Sequence, residues 1–370
     1  MTPTTVLMAS TSYPTDASDW RGVFIRSMTC ALARRNDIAL KVWCPRGQFP
    51  AGIEYAANPA DEAWMSELSR SGGIAHALRS GRLAALLRPI QLLVRLRALY
   101  RRQASVDLVH ANWLQVALPL PANRKPLLVT VLGTDYQLLR LPGMKRLLRR
   151  VLASRRAIIC PNADWMVPGL EAAFGDIAKV DCVPFGIDSA YFGLERQPLS
   201  PAHWLCVSRV TRPKIGDLFR WGERHFRGQP RQLHLFGPMQ EPVDIPDWVH
   251  YHGPVSQSDL LERWFPSATG LISLSRHPEG LPQVMLEAMA ASLPIIASAL
   301  PAHCSLIQPS GAGRICGSEH ELGLALAELG HPEEGARIGA SGRQFAMARF
   351  GTWDTCAERY MAHYRSLLAS

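Results

Sequence analysis

Several absences narrow the reading of this 370-residue chain. Its eight cysteines stand singly, with no C-x-x-C pair and no regular spacing, which suits a reducing cytoplasm better than a disulfide framework. No basic n-region precedes the apolar part of MTPTTVLMASTSYP, so that segment reads as a first β-strand and not as a signal peptide. The longest stretch without charge, from Ala288 up to Arg314, is broken by Pro294, Pro301 and Pro309. A membrane span needs about 20 mainly apolar residues, so none is expected. No G-x-G-x-x-G follows the first strand, which argues against a dinucleotide-dependent dehydrogenase. The nearest approach, GAGRICG at 311–317, has the wrong spacing and reads as a turn into a short strand. There is no D-x-D and no His/Cys cluster, so no metal site or other cofactor is expected.

Acidic residues are missing from two long stretches, and this is where the formal charge of +9 is concentrated. Between Arg70 and Val106 the arginines 70, 79, 82, 88, 95, 97, 101 and 102 recur among leucines with no acid. From Tyr136 to Ala163 stand Arg140, Lys145, Arg146, Arg149, Arg150, Arg155 and Arg156, again with no acid. Basic amphipathic helices of this kind suit an anionic membrane surface. They also suit solvated helix faces over a leucine core. A nucleic-acid partner is not expected, because no zinc-finger spacing or RNP-like aromatic run accompanies the charge.

What the chain has is alternation. Apolar, β-branched runs alternate with helical patterns, the signature of parallel βαβ units. Strands are predicted at 5–10, 38–44, 106–112, 127–133, 157–160 and 179–184. After a break around PFGIDSAYF (184–192), a second series is predicted at 203–209, 232–237, 248–253, 270–275 and 294–298. The length also favours two domains. The expectation is an α/β chain of two doubly wound, Rossmann-like domains facing a central cleft. Residues 1–190 form the first and 191–351 the second, with a final helix, 352–370, crossing back to the first. Ligands of such sheets sit at the carboxyl ends of the strands.

The stretch HPEGLPQVMLEAMA (277–290) carries the sharpest chemistry. Glu279 falls in the loop after a buried strand, Pro282 suits the first turn of a helix, and Glu287 lies about five residues along that helix, roughly 7.5 Å at 1.5 Å per residue. Two carboxylates so placed can accept hydrogen bonds from separate hydroxyl pairs of one elongated ligand, and the helix N-terminus between them suits a phosphate.

The stretch resembles the E-x7-E motif of family 4 ("group 1") glycosyltransferases, retaining enzymes of the GT-B fold. SYPTDASDWRGVFIR resembles that family's first loop, where Gly22 lets the backbone approach the donor diphosphate. DLVHANW and VTVLGTD resemble two strand ends of its first domain, and SRVTRPKIGD matches its R-x4-K with Arg209 and Lys214. LFGPM and YHGPVS, the latter containing Val255, resemble the strand ends that bracket the nucleotide base.

The resemblance implies metal-independent transfer of a hexose-type sugar from a nucleoside-diphosphate sugar, with retention. Arg209 and Lys214 would face the diphosphate, Glu279 with the Gly280 and Leu281 amides the sugar, and Glu287 the ribose. Many relatives carry a histidine where this chain has Leu132, so Asp135 and His110 are the candidates for chemistry near the acceptor. The basic stretches favour a glycan or lipid-linked acceptor in bacterial cell-envelope polysaccharide synthesis. The protein would then be cytoplasmic and peripheral on the inner membrane face. The competing readings are a nucleotide-sugar epimerase and an inactive GT-B partner subunit, the latter kept open by Leu132.

Overall fold

A computed structural model describes residues 3–16, 19–70 and 87–369. Arg79 and Arg82, and Ala17 and Ser18 of the first-loop motif, lie outside the described residues. The chain divides into two compact units, Met1–Pro184 with Cys356–Ser370, and Phe185–Thr355.

The sheet of the first unit is parallel throughout, in the order β3-β2-β1-β4-β5-β6-β7. Its strands are β1 (Thr4–Ala9), β2 (Ile38–Trp43), β3 (Ile53–Tyr55), β4 (Leu108–Asn112), β5 (Leu127–Val131), β6 (Ala157–Pro161) and β7 (Lys179–Val180). β4, β5 and β6 are buried at every residue, as expected of strands covered on both faces. That is why they read as unbroken apolar runs. The strand order reverses between β1 and β4, so the loops leaving those strands part around a crevice within this sheet. The edge strand β3 was not predicted, because three residues carry too little alternation to register.

The second unit repeats the theme with six parallel strands in the order β10-β9-β8-β11-β12-β13. These are β8 (Ala202–Val207), β9 (Arg231–Phe236), β10 (Val249–Gly253), β11 (Gly270–Ser273), β12 (Ile295–Ser298) and β13 (Gly313–Cys316). One face of the sheet packs Trp204, Leu233, Leu235 and Ile272 against Leu218, Trp221 and Phe226 of helix Leu218–Phe226. Leu322, Leu326 and Leu329 of helix Glu319–Gly330 join the same core. Burying each such side chain stabilises by about 1.5–3 kcal/mol, so this core holds the switch-point strands β8 and β11 in place.

The last helix, Trp353–Leu368, joins the first unit from Cys356 onward. Tyr360, Tyr364 and Leu367 lie on its buried side.

The basic stretches of the first unit are divided in use. Helix Arg88–Arg102 buries Leu92, Leu96, Leu99 and Tyr100. Arg95 and Arg102 bind the two oxygens of the buried Asp61 at 3.2 and 2.8 Å, and Arg88 pairs with Glu67 at 2.5 Å. On helix Met144–Leu152, Arg149 pairs with Asp176 at 2.5 Å. These arginines hold the fold together with acids distant in sequence, so the local charge count overstates the free positive surface.

Candidate functional site

In the second unit the loops leaving β8 and β11, the two strands at the switch point, are fastened to each other. Arg276 N donates to Pro213 O at 2.7 Å, and the Arg276 guanidinium grips Asp217 with Nε at 2.8 Å and Nη2 at 2.7 Å. Ser298 Oγ, at the end of β12, donates to Ser275 O at 2.5 Å. The close approach depends on Gly216 (φ 57°), where a Cβ would meet Leu274 O at 1.9 Å.

This fastening sets Lys214 opposite Glu279. Lys214 stands on the short helix Arg212–Ile215, whose N-terminus is capped by Thr211 Oγ1 accepting from Lys214 N at 3.3 Å. Its Nζ donates to Glu279 Oε1, and both side chains are mostly buried. Burial pulls the Lys214 ammonium below its ordinary pKa, against the opposing pull of the Glu279 carboxylate. Arg209 lies between β8 and that helix, with Nη1 donating to Gln240 Oε1 at 3.3 Å.

Glu279, Gly280 and Leu281 lie in the loop before helix Gln283–Ala290, and Pro282 is that helix's N-cap residue, one position earlier than predicted. Glu287, in the body of the helix, is only 6% exposed. None of the hydrogen bonds among the described residues uses its carboxylate. Burial first, and then the charge of nearby Asp188, pushes its pKa up to about 8. Tyr191 lies close enough to feel the same charge, and its buried hydroxyl is also without a partner. A group of unsatisfied buried polar atoms costs the native state roughly 1–3 kcal/mol per group, and a ligand that satisfies them recovers it.

Three further residues complete the site that the sequence did not mark. His303, on helix Pro301–Ser310, is fully buried; its Nδ1 lies 3.1 Å from Ser298 O. A carbonyl only accepts, so the proton sits on Nδ1 and Nε2 is the acceptor, buried and unpartnered. Burial lowers its pKa, and it lies within electrostatic reach of Glu279 and Lys214. Asp217 and Asp188 are the others. All three come from separate loops and helices, and no spacing links them in the chain.

Val255 follows β10 in a segment stitched to its neighbours. Gly237 N donates to Gly253 O at 2.8 Å, Tyr251 Oη to Gly237 O at 2.9 Å, and Val210 N to Pro238 O at 2.9 Å. The carboxyl ends of β8, β9 and β10 thus form one edge on which Arg209 and Val255 sit.

The candidates of the first unit fare differently. Gly22 begins helix Val23–Ala33 in the left-handed region (φ 71°), and a Cβ there would come within 2.6 Å of Ser12 Oγ and 2.8 Å of Tyr13 N. The chain turns there only because no side chain is present. His110 is not available for chemistry: it is wholly buried, with Nδ1 at 2.7 Å from Tyr364 Oη and Nε2 at 2.7 Å from Thr130 Oγ1. Burial drives its pKa down to about 3, so it is a neutral core residue tying β4 to β5 and the last helix.

Asp135 is likewise occupied. Oδ1 accepts from Leu132 N and Oδ2 from Leu114 N, each at 2.9 Å. Burial raises its pKa to about 6 against those backbone bonds. It shapes the loop after β5 and pins the start of helix Leu114–Ala117, a positioning role. Leu132 is 9% exposed at the end of β5.

These features are those of a GT-B glycosyltransferase fold, two parallel doubly wound sheets with the site residues at strand carboxyl ends. Residues 205–330, within the second unit, match the family described as "Glycosyl transferases group 1". No curated protein matches the chain. Among solved structures, sucrose-phosphate synthase from Thermosynechococcus elongatus is similar at TM-score 0.71 and 17% identity, over 99% of both chains. A UDP-forming α,α-trehalose-phosphate synthase from Burkholderia vietnamiensis is similar at TM-score 0.69 and 12% identity, over 100% of both. Anabaena HepE, solved in complex with UDP and glucose, is similar at TM-score 0.67 and 13% identity, over 98% of this chain and 99% of that one. At such identities the likeness is one of fold.

Proposed function

We propose that the protein is a retaining glycosyltransferase that binds a nucleoside-diphosphate sugar in its second unit and transfers the sugar to a glycan or lipid-linked acceptor. The observation that carries this reading is Glu287. A buried carboxyl that none of the hydrogen bonds among the described residues uses suits a ligand that brings hydroxyl donors, and the Lys214–Glu279 pair, whose Glu279 stands eight positions earlier in the chain, offers a cation to that ligand's negative charge. The ribose hydroxyls would donate to Glu287, and Arg209 and Lys214 would face the diphosphate.

Breaking the sugar–phosphate bond leaves a doubly charged group, and fixed cations in a dry site stabilise that developing charge. Lys214 is prepared for this because Glu279 holds it charged against burial. As the donor enters, the diphosphate shares the ammonium, which frees Glu279 oxygens for sugar hydroxyls. Deprotonation of the acceptor falls to the leaving phosphate, since His110 and Asp135 are both occupied. Structures of Anabaena HepE with UDP and with UDP-glucose, and the UDP-forming synthase, favour a uridine nucleotide.

Incubation with UDP-glucose tests the activity: release of UDP that rises with a glycan or lipid-linked acceptor supports transfer. A nucleotide sugar that changes configuration without acceptor would indicate an epimerase instead. Absence of nucleotide binding would indicate an inactive partner subunit.

A further inference from the structure

The first unit contains a cavity of about 450 Å³ that the proposed reaction does not use. It lies between the two basic helices. Leu93 lines it from helix Arg88–Arg102, Leu120 from the loop before β5, and Leu147, Arg150 and Val151 from helix Met144–Leu152, with Arg155 just beyond. The loop and Arg155 lead into β5 and β6, so the cavity belongs to the amino-terminal side of the sheet. A ligand at the strand carboxyl ends occupies the opposite edge.

The two basic stretches that supply its walls are unusual in two respects. Ten large apolar side chains are the most exposed among the described residues, and five of them, Leu87, Ile90, Val94, Leu141 and Leu147, fall on these two basic stretches. Val94 (63% exposed) adjoins Leu93, and Leu147 itself lines the cavity at 56%. Such clustering is costly in water unless the face is covered.

The second respect is charge. The arginines that pair with Asp61, Glu67 and Asp176 are absorbed by the fold, whereas Arg101, Arg146 and Arg150 have no ionic partner among the described residues. In the wall, Arg155 donates to Pro121 O at 2.8 Å and Val151 O at 3.0 Å, while its buried Nη1 has no partner. Arg150 and Arg155, the two cations among the cavity's lining residues, stand with its leucines and match an amphiphile with an anionic head and a hydrocarbon chain. A nucleic acid offers no such chain.

We propose that this face docks on an anionic lipid surface, the cavity taking an acyl chain and Arg150 the lipid phosphate. Val94 and Leu147 enter the interface beside it. The inference does not rest on the transferase reading. Each Arg near an anionic surface is worth about fivefold in binding, and each methylene withdrawn from water about fourfold.

The test is co-sedimentation of the full-length protein with vesicles of phosphatidylcholine alone or with one-third phosphatidylglycerol, alongside thermal melts that confirm folding. The proposal expects sedimentation with the anionic vesicles, weakening as salt rises. Arg150→Glu and Leu147→Asp should each weaken it at least fivefold, whereas Leu324→Asp, equally exposed in the second unit, should not. A soluble short-chain phosphatidylglycerol should compete in the wild type and fail to compete in Ala122→Trp, which fills the cavity. Inorganic phosphate should compete in neither. The proposal is overturned if the wild type ignores anionic vesicles or if folded Leu147→Asp and Arg150→Glu bind like wild type. Full competition by inorganic phosphate would also overturn it, by showing a simple anion site.

Discussion

The ammonium of Lys214 donates to Oε1 of Glu279, joining the loops that leave β8 and β11 at the point where the strand order reverses. Sixty-five positions separate the two residues, and the contact forms because Arg276, Asp217 and Gly216 draw the loops together. Removing one partner strands a mostly buried charge, which costs more than removing both. Lys214→Met and Glu279→Gln should each destabilise by about 1–3 kcal/mol, with the double variant less destabilised than the sum. Urea denaturation of the four proteins measures this coupling, and additive losses would show that the pair is not formed in solution.

Glu287 should give stability an alkaline slope. Its folded pKa of about 8 lies above the unfolded value near 4.5, so between those values the unfolded chain gives up a proton that the native state keeps. The native state then loses stability as pH rises through this window. Glu287→Gln should flatten that loss. Melting temperatures of both proteins at pH 5, 6, 7 and 8 test it, and parallel curves would contradict a buried, unpaired carboxyl.

His110 gives the opposite sign. Its folded pKa of about 3 lies below the ordinary value near 6.5, so its contribution is complete above 6.5 and is lost as pH falls toward 3. His110→Phe should remove part of the acid sensitivity and cost about 1–3 kcal/mol at neutral pH by stranding the Tyr364 hydroxyl and taking one of two partners from Thr130 Oγ1, which keeps Tyr360 Oη. Nucleotide affinity of the folded variant should be unchanged. A large fall in kcat with normal stability would return His110 to the catalytic machinery.

Gly216→Ala should damage the site more than its size suggests. The added Cβ meets Leu274 O at 1.9 Å, so the two loops must part. Weaker nucleotide binding and a lower melting temperature are expected together, read by calorimetry on the same sample. Wild-type affinity would show that the loops need not touch.

Which parts of this were legible in the chain follows from where the controlling physics lies. The central strands announced themselves because burial on both faces demands unbroken apolar runs such as LLVTV and AIIC. Glu279 and Glu287 were readable because one loop and one helix place both. The Lys214–Glu279 bond was not, since it depends on two loops meeting. His110 looked available at a strand end, yet Tyr364, 254 positions later, takes one of its nitrogens. Arg95 and Arg102 looked like free charge until Asp61 packed beneath them. In each case the missing information was a tertiary partner that no local pattern encodes.

The central claim, that the second unit holds a nucleoside-diphosphate sugar on Glu287, is tested most directly by isothermal titration of UDP into the wild type and Glu287→Ala, at pH 6 and pH 8. Hydroxyls that donate to the carboxylate favour its ionised form, so binding expels a proton and affinity should rise toward pH 8. The account predicts binding that strengthens with pH in the wild type and is at least about tenfold weaker, with a flat pH response, in the variant. Equal affinity and equal pH response in the two proteins would contradict it, as would a wild type that binds neither UDP nor any other nucleoside diphosphate.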